Sequence, residues 1–143
     1  MGKFEDLLRL HNRLPPGEQQ RLAREQFPAV VASSRMSMWS PGEPFPSKGN
    51  RLLIGVATYS RYDMDLLDAL DSQGWENDVI QLFELSVFSS MDEFEKFIPS
   101  LDKVLQTPVI GFWEDGQLTY RAQGAFARRW VRDRYGLVLG TST

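Results

Sequence analysis

The side chains in this 143-residue chain that could carry acid–base or metal chemistry are few: His11, the only histidine, and a run of aspartates at Asp63, Asp65, Asp68 and Asp71. A transition-metal site or a Ser-His pair would have to be built on His11. That residue falls beside Leu7, Leu8 and Leu14 and reads as part of a packed helix face. By type the aspartates suit cation binding or proton transfer, but Asp68 and Asp71 fall opposite Leu66 and Leu70 and read as a solvated face. Asp63 forms a capping-box-like pair with Ser60, whose hydroxyl would accept from first-turn amides while the helix dipole favours Asp63 and Asp65. No Gly-rich phosphate loop occurs. The expectation is neither a metal nor a cofactor. Cysteine is absent altogether, which excludes disulfide scaffolds, thiolate zinc sites, iron–sulfur clusters and cysteine nucleophiles together.

The elements that would position these groups follow from hydrophobic spacing. Phe4, Leu7, Leu8, His11 and Leu14 predict a helix over 3–14, stopped by Pro15-Pro16-Gly17. Glu18 to Gln26 predicts a second helix, with Pro28 ending or kinking it, and Ala29 to Ala32 is open between helix and strand. Ser40 to Asn50, with three prolines and two glycines, is a loop. Arg51 to Tyr59 predicts a strand buried on both faces, followed by a helix from Ser60 to Gly74. Val79 to Phe88 predicts a second strand. Ser90-Met91-Asp92-Glu93 then repeats the capping pattern and opens a helix carrying Phe94, Phe97, Ile98 and Leu101, with Pro99 kinking it. Pro108 to Trp113 and Gln117 to Ala122 flank Glu114-Asp115-Gly116 as a hairpin. The last helix ends at Gly136, with Phe126, Trp130 and Val131 on one side and Arg128, Arg129, Arg132 and Asp133 on the other.

A chain of this length supports one core. The expected organisation is a helical arm over 1–40, a Pro/Gly-rich linker loop over 41–50 and an α/β body over 51–143, with a mixed sheet and helices on both faces. No apolar run reaches the length of a membrane span, and the amino terminus carries acids where a signal peptide would be basic and apolar. The expectation is a soluble, cytoplasmic protein without a membrane partner. Net charge is −3, unevenly spread: residues 63–103 hold eleven acids against two lysines, whereas 104–143 hold five arginines against three acids. This asymmetry suits steering of a charged partner or head-to-tail self-association. A pI near 5.2 argues against nucleic acid as a partner.

One segment carries a specific likeness. From Thr107-Pro108-Val109-Ile110-Gly111 through Glu114-Asp115-Gly116 to Gly124, the chain resembles the thioredoxin pattern of Thr-Pro, apolar strand, Gly turn, second strand and terminal Gly. The likeness covers roughly Leu52 to Gly136. In that family the Thr-Pro bond is cis and faces the active site, so the resemblance implies a cis Pro108. It also places Ser60-Arg61-Tyr62-Asp63 where the family has Cys-x-x-Cys, and Tyr59 where thioredoxins commonly have Trp. A hydroxyl and a carboxylate thus replace both thiols, and disulfide exchange, which needs a thiolate, is lost.

The resemblance therefore implies a redox-inactive thioredoxin-like protein that binds a protein or peptide partner as an adaptor, assembly factor or chaperone-like protein. Its expected binding residues are Tyr59, Ser60, Arg61, Tyr62, Asp63, Thr107, Pro108 and Val109, the exposed backbone of Val109 pairing with an extended chain. The alternative is a glutathione-binding enzyme resembling glutathione transferases, with the Ser60 or Tyr59 hydroxyl activating the thiol. No counterpart of that family's helical domain follows Gly136. A homo-oligomer is compatible with either.

Overall fold

The structure, a computed structural model, describes residues 2–40, 42–44, 47–73, 75–85, 92–93 and 106–140. Three helices come first: α1 (Lys3–Arg13), α2 (Pro16–Glu25) and α3 (Phe27–Ala32). α2 opens on Pro16, where a missing amide proton costs nothing, two residues ahead of the sequence expectation. Pro28 lies in the first turn of α3. It is tolerated there for the same reason, and the open stretch 29–32 is helical.

The sheet follows, with β1 (Ser37–Met38), β2 (Asn50–Val56), β3 (Asp78–Glu84), β4 (Val109–Glu114) and β5 (Gln117–Gln123), and two further helices, α4 (Arg61–Gln73) and α5 (Gly124–Tyr135). Strand order is β1-β3-β2-β4-β5. β1 and β2 run parallel to β3, whereas β4 is antiparallel to both β2 and β5. The molecule is thus an α/β fold on a five-stranded mixed sheet. β2 is buried on both faces because it is central, as its unbroken apolar run predicts. β1 carried no sequence signal, since two residues are too few to show a period.

Alternation divides the core in two. Leu52, Ile54 and Val56 of β2, Ile80 and Leu82 of β3 and Ile110 and Phe112 of β4 face a cluster shared with Phe4, Leu7 and Leu8 of α1, Phe27 and Val31 of α3, Leu66, Leu67 and Leu70 of α4, and Ala127 and Val131 of α5. Leu53, Phe83, Val109 and Trp113 point the other way and pack with Trp39. Among the described residues, then, the core-forming helices cover one face. Of the helix expected from Ser90 with Phe94, Phe97, Ile98 and Leu101, Asp92 and Glu93 are described and helical; its other residues, and the end of the second strand beyond Leu85, lie outside the described residues. No described helix is long and apolar enough to cross a membrane.

The apolar stripe of α1 covers the protein's own core. Its amino terminus is held from another helix: Asp68 of α4 accepts the Phe4 amide on Oδ1 and the Glu5 amide on Oδ2, both at 2.9 Å. Asp71 is paired with Lys3 at 3.3 Å and accepts the Arg35 amide. The reading of Asp68 and Asp71 as a solvated face is therefore corrected. α4 is covered by α1 on that side, and the carboxylates satisfy orphan amides.

The last helix departs from expectation in the same way. Its buried stripe is Gly124, Ala127, Arg128 and Val131, an i, i+3, i+4, i+7 set, while Phe126 is 70 % exposed. Arg128 is buried because its guanidinium has a partner on α4, Asp65 Oδ2 at 3.3 Å, and lies 5.0 Å from the centre of the Tyr62 ring. A buried charge is tolerated when paired. Gly136 closes the helix in the left-handed conformation, φ 63°, as its sequence position predicts.

Candidate functional site

The carboxyl ends of β2 and β3, the start of β4 and the start of α5 meet at one end of the sheet, because Val56 pairs with Glu84, Gly55 with Val109, and Val109 with Gln123. In open α/β sheets, ligands bind beyond such carboxyl ends. Here that region holds Ala57 to Asp63 and Gln106 to Pro108. The Thr107–Pro108 bond is cis.

Ser60 opens α4 as predicted, its Oγ accepting the Asp63 amide at 3.2 Å. Asp63 does more than favour a helix dipole. Its side chain is fully buried and turns back to the strand end, where Oδ2 accepts the Ala57 amide at 3.0 Å. Oδ1 is buried without a hydrogen bond. Burial pushes the carboxyl up from 3.8 to about 6, against the Ala57 amide, the neighbouring Thr107 and Ser60 hydroxyls and the positive charge of Arg128, which pull it down. Desolvation dominates.

Beside this carboxyl opens a cavity of about 460 Å³, lined by Tyr62, Gln106, Thr107, Pro108, Gly124, Ala125 and Arg128. Gly124 sits at φ 62°, and a Cβ there would collide with the Gln106 side chain. Its amide donates to the Pro108 carbonyl at 2.8 Å. The Gln106 amide donates to Gln123 Oε1 at 3.1 Å. Thr107 lies between these bonds, and among the described residues neither its amide nor its carbonyl has a hydrogen-bond partner. A backbone unit left unsatisfied beside an open cavity can pair with an extended chain.

Not all the expected binding residues share this cavity. Tyr62, Thr107 and Pro108 line it, and Asp63 lies buried next to Thr107. Tyr59 is 67 % exposed, its ring 6.0 Å from that of His11. Arg61 instead lines a separate, acidic depression with Glu5, Asp65 and Asp68. Val109 is buried and in register between Gly55 and Gln123. Its backbone is thus inside the ladder, and the expectation of a free Val109 edge moves to Thr107. Sequence reasoning missed Gln106, Gly124, Ala125 and Arg128 as cavity wall. The terminal Gly of the hairpin pattern was the available signal for Gly124.

His11 is buried as predicted for a helix face, with Nδ1 3.3 Å from Thr58 Oγ1. Burial lowers its pKa, with the negative charge of Glu84 acting in the opposite direction. Among the described residues no group of three or more His, Asp or Glu side chains is placed to hold a metal ion.

No protein-family model matches this chain, and no curated protein matches it in sequence.

Proposed function

We propose that this protein is a thioredoxin-like domain without redox chemistry whose function is to bind an extended segment of a protein partner. The observation that carries the reading is the Thr107 backbone, unpaired among the described residues, on the wall of the Tyr62–Pro108–Arg128 cavity. The strand order β1-β3-β2-β4-β5 and the Ser60-to-Asp63 turn at the strand end support the thioredoxin-like part of it, and the absence of any cysteine supports the loss of redox chemistry. The binding unit would join main-chain hydrogen bonds at Thr107 to side-chain contact with Tyr62, whose ring is half exposed.

The test is retention of peptides from a random decapeptide library on the immobilised full chain. Wild type is expected to retain a subset, and Tyr62→Ala to retain at least about tenfold less while melting at nearly the same temperature. Equal retention by the variant, or none by wild type, overturns the reading. The glutathione-activating alternative is separated by melting: a ligand of the native state raises the melting temperature. An upward shift with millimolar glutathione would favour that alternative, whereas no shift removes it.

A further inference from the structure

Resting on the binding reading above, we propose that a segment seated across Thr107 drives uptake of a proton by Asp63, so that this surface holds its partner more tightly in acid than at neutral pH. The geometry is a stack of three layers. The open cavity is outermost, Thr107 with its hydroxyl and a backbone unpaired among the described residues forms the wall, and the buried Asp63 carboxyl lies behind it with Oδ1 lacking a hydrogen bond among those residues. A chain laid over Thr107 takes water away from a polar neighbour of that carboxyl. Removing water from an ionised carboxylate favours its protonated form, and a proton taken up on binding makes the affinity fall as pH rises.

The groups facing Asp63 set the direction. The residue that follows β2 contributes the Ala57 amide, and the loop and wall contribute the Ser60 and Thr107 hydroxyls. α5 contributes the positive charge of Arg128, which is already shared with Asp65 of α4. With one shared cation against a fully buried carboxyl, desolvation keeps the upper hand. The resting carboxyl near 6 then places the transition within reach of ordinary pH changes. Ionised Asp63 can only accept hydrogen bonds, whereas protonated Asp63 can donate one to the neighbouring Thr107 hydroxyl, whose own proton is then free for the partner.

The experiment repeats the peptide selection at about pH 5 and about pH 7.5, with an amino-acetylated library lacking Asp, Glu and His so that the peptides do not titrate in this interval. Wild type is expected to retain about tenfold more at the lower pH, the factor given by a one-unit rise of the Asp63 pKa on binding. Asp63→Asn should bind equally at both, and His11→Gln should keep the wild-type difference. Equal retention by wild type at the two pH values, an unchanged difference in Asp63→Asn, or its loss in His11→Gln overturns the proposal. Absence of any retained peptide, or retention indifferent to Tyr62→Ala, instead overturns the binding reading and the proton linkage with it.

Discussion

Asp68 completes the first turn of a helix to which it does not belong, its Oδ1 standing 2.9 Å from the amide of Phe4, sixty-four residues away in sequence. Gly2, at the position where a capping side chain would sit, has none to offer, and the carboxylate from α4 takes two of the amides that would otherwise be orphaned. Asp68→Ala is expected to cost about 1–2 kcal/mol in chemical denaturation, the usual loss for a removed cap. Asp68→Asn, which keeps one acceptor oxygen, should cost about half as much. An unchanged denaturation midpoint for the alanine variant would show that the two helices dock without this link.

For Asp63 the pH dependence has a defined sign. A carboxyl raised from 3.8 to about 6 favours the acid form in the folded state. Its contribution is therefore fully present below pH 3.8 and is lost as pH rises to about 6, with no further change above. Two units correspond to about 3 kcal/mol. Asp63→Asn should accordingly be more stable than wild type at neutral pH by up to about 3 kcal/mol, equal to it near pH 3.5, and flat between. A denaturation series across pH 3.5–7 with parallel curves would contradict this.

Asp78 behaves in the opposite sense. Burial pushes its carboxyl up, but Arg134, Tyr135 and Asn50 outweigh that and leave it lowered. Arg134 donates to it twice, at 2.8 and 3.2 Å, the Tyr135 hydroxyl once at 2.6 Å and the Asn50 amide once at 3.1 Å. The contribution of this network is present above pH 3.8 and is lost as pH falls through the lowered pKa. Asp78→Ala should cost about 3 kcal/mol at pH 7, because it leaves a cation, a phenol and an amide without their shared acceptor. The deficit should shrink in acid, and a constant deficit down to pH 2 would refute the assignment.

Gly124→Ala tests backbone and cavity together. The residue stands at φ 62°, and its new methyl would meet the Gln106 side chain. The backbone term is about 1–2 kcal/mol. The variant should melt lower and retain fewer library peptides than wild type, since displaced Gln106 enters the cavity. A variant with normal melting and normal retention would mean that this wall yields without consequence.

The sequence announced elements whose patterns were long and local. The β2 run, the α4 cap at Ser60, the hairpin about Glu114-Asp115-Gly116 and the stop at Gly136 all lie where residue type alone specifies geometry. What it concealed depended on neighbours far along the chain. Asp68 and Asp71 look solvated on a helical wheel until α1 and Arg35 cover them, and Arg128 looks like surface until Asp65 and Tyr62 receive it. Of the candidate cavity, the sequence pointed to the wall residues Tyr62, Thr107 and Pro108. Val109 was misplaced because the pattern does not tell which residue before or after a proline enters the ladder first. Nothing local marks Gln106, Ala125 or Arg128 as wall, since that wall exists only once α5 docks on α4.

The register of β5 against β4 slips between Phe112 and Trp113, so that Thr119 is passed over and its hydroxyl donates to the Phe112 carbonyl at 3.3 Å. This bulge sits on an outer strand, and the opposite outer strand, β1, has only two residues. Both rims of the sheet are thus poor templates for a further strand. The borders of the sheet therefore resist edge-to-edge aggregation.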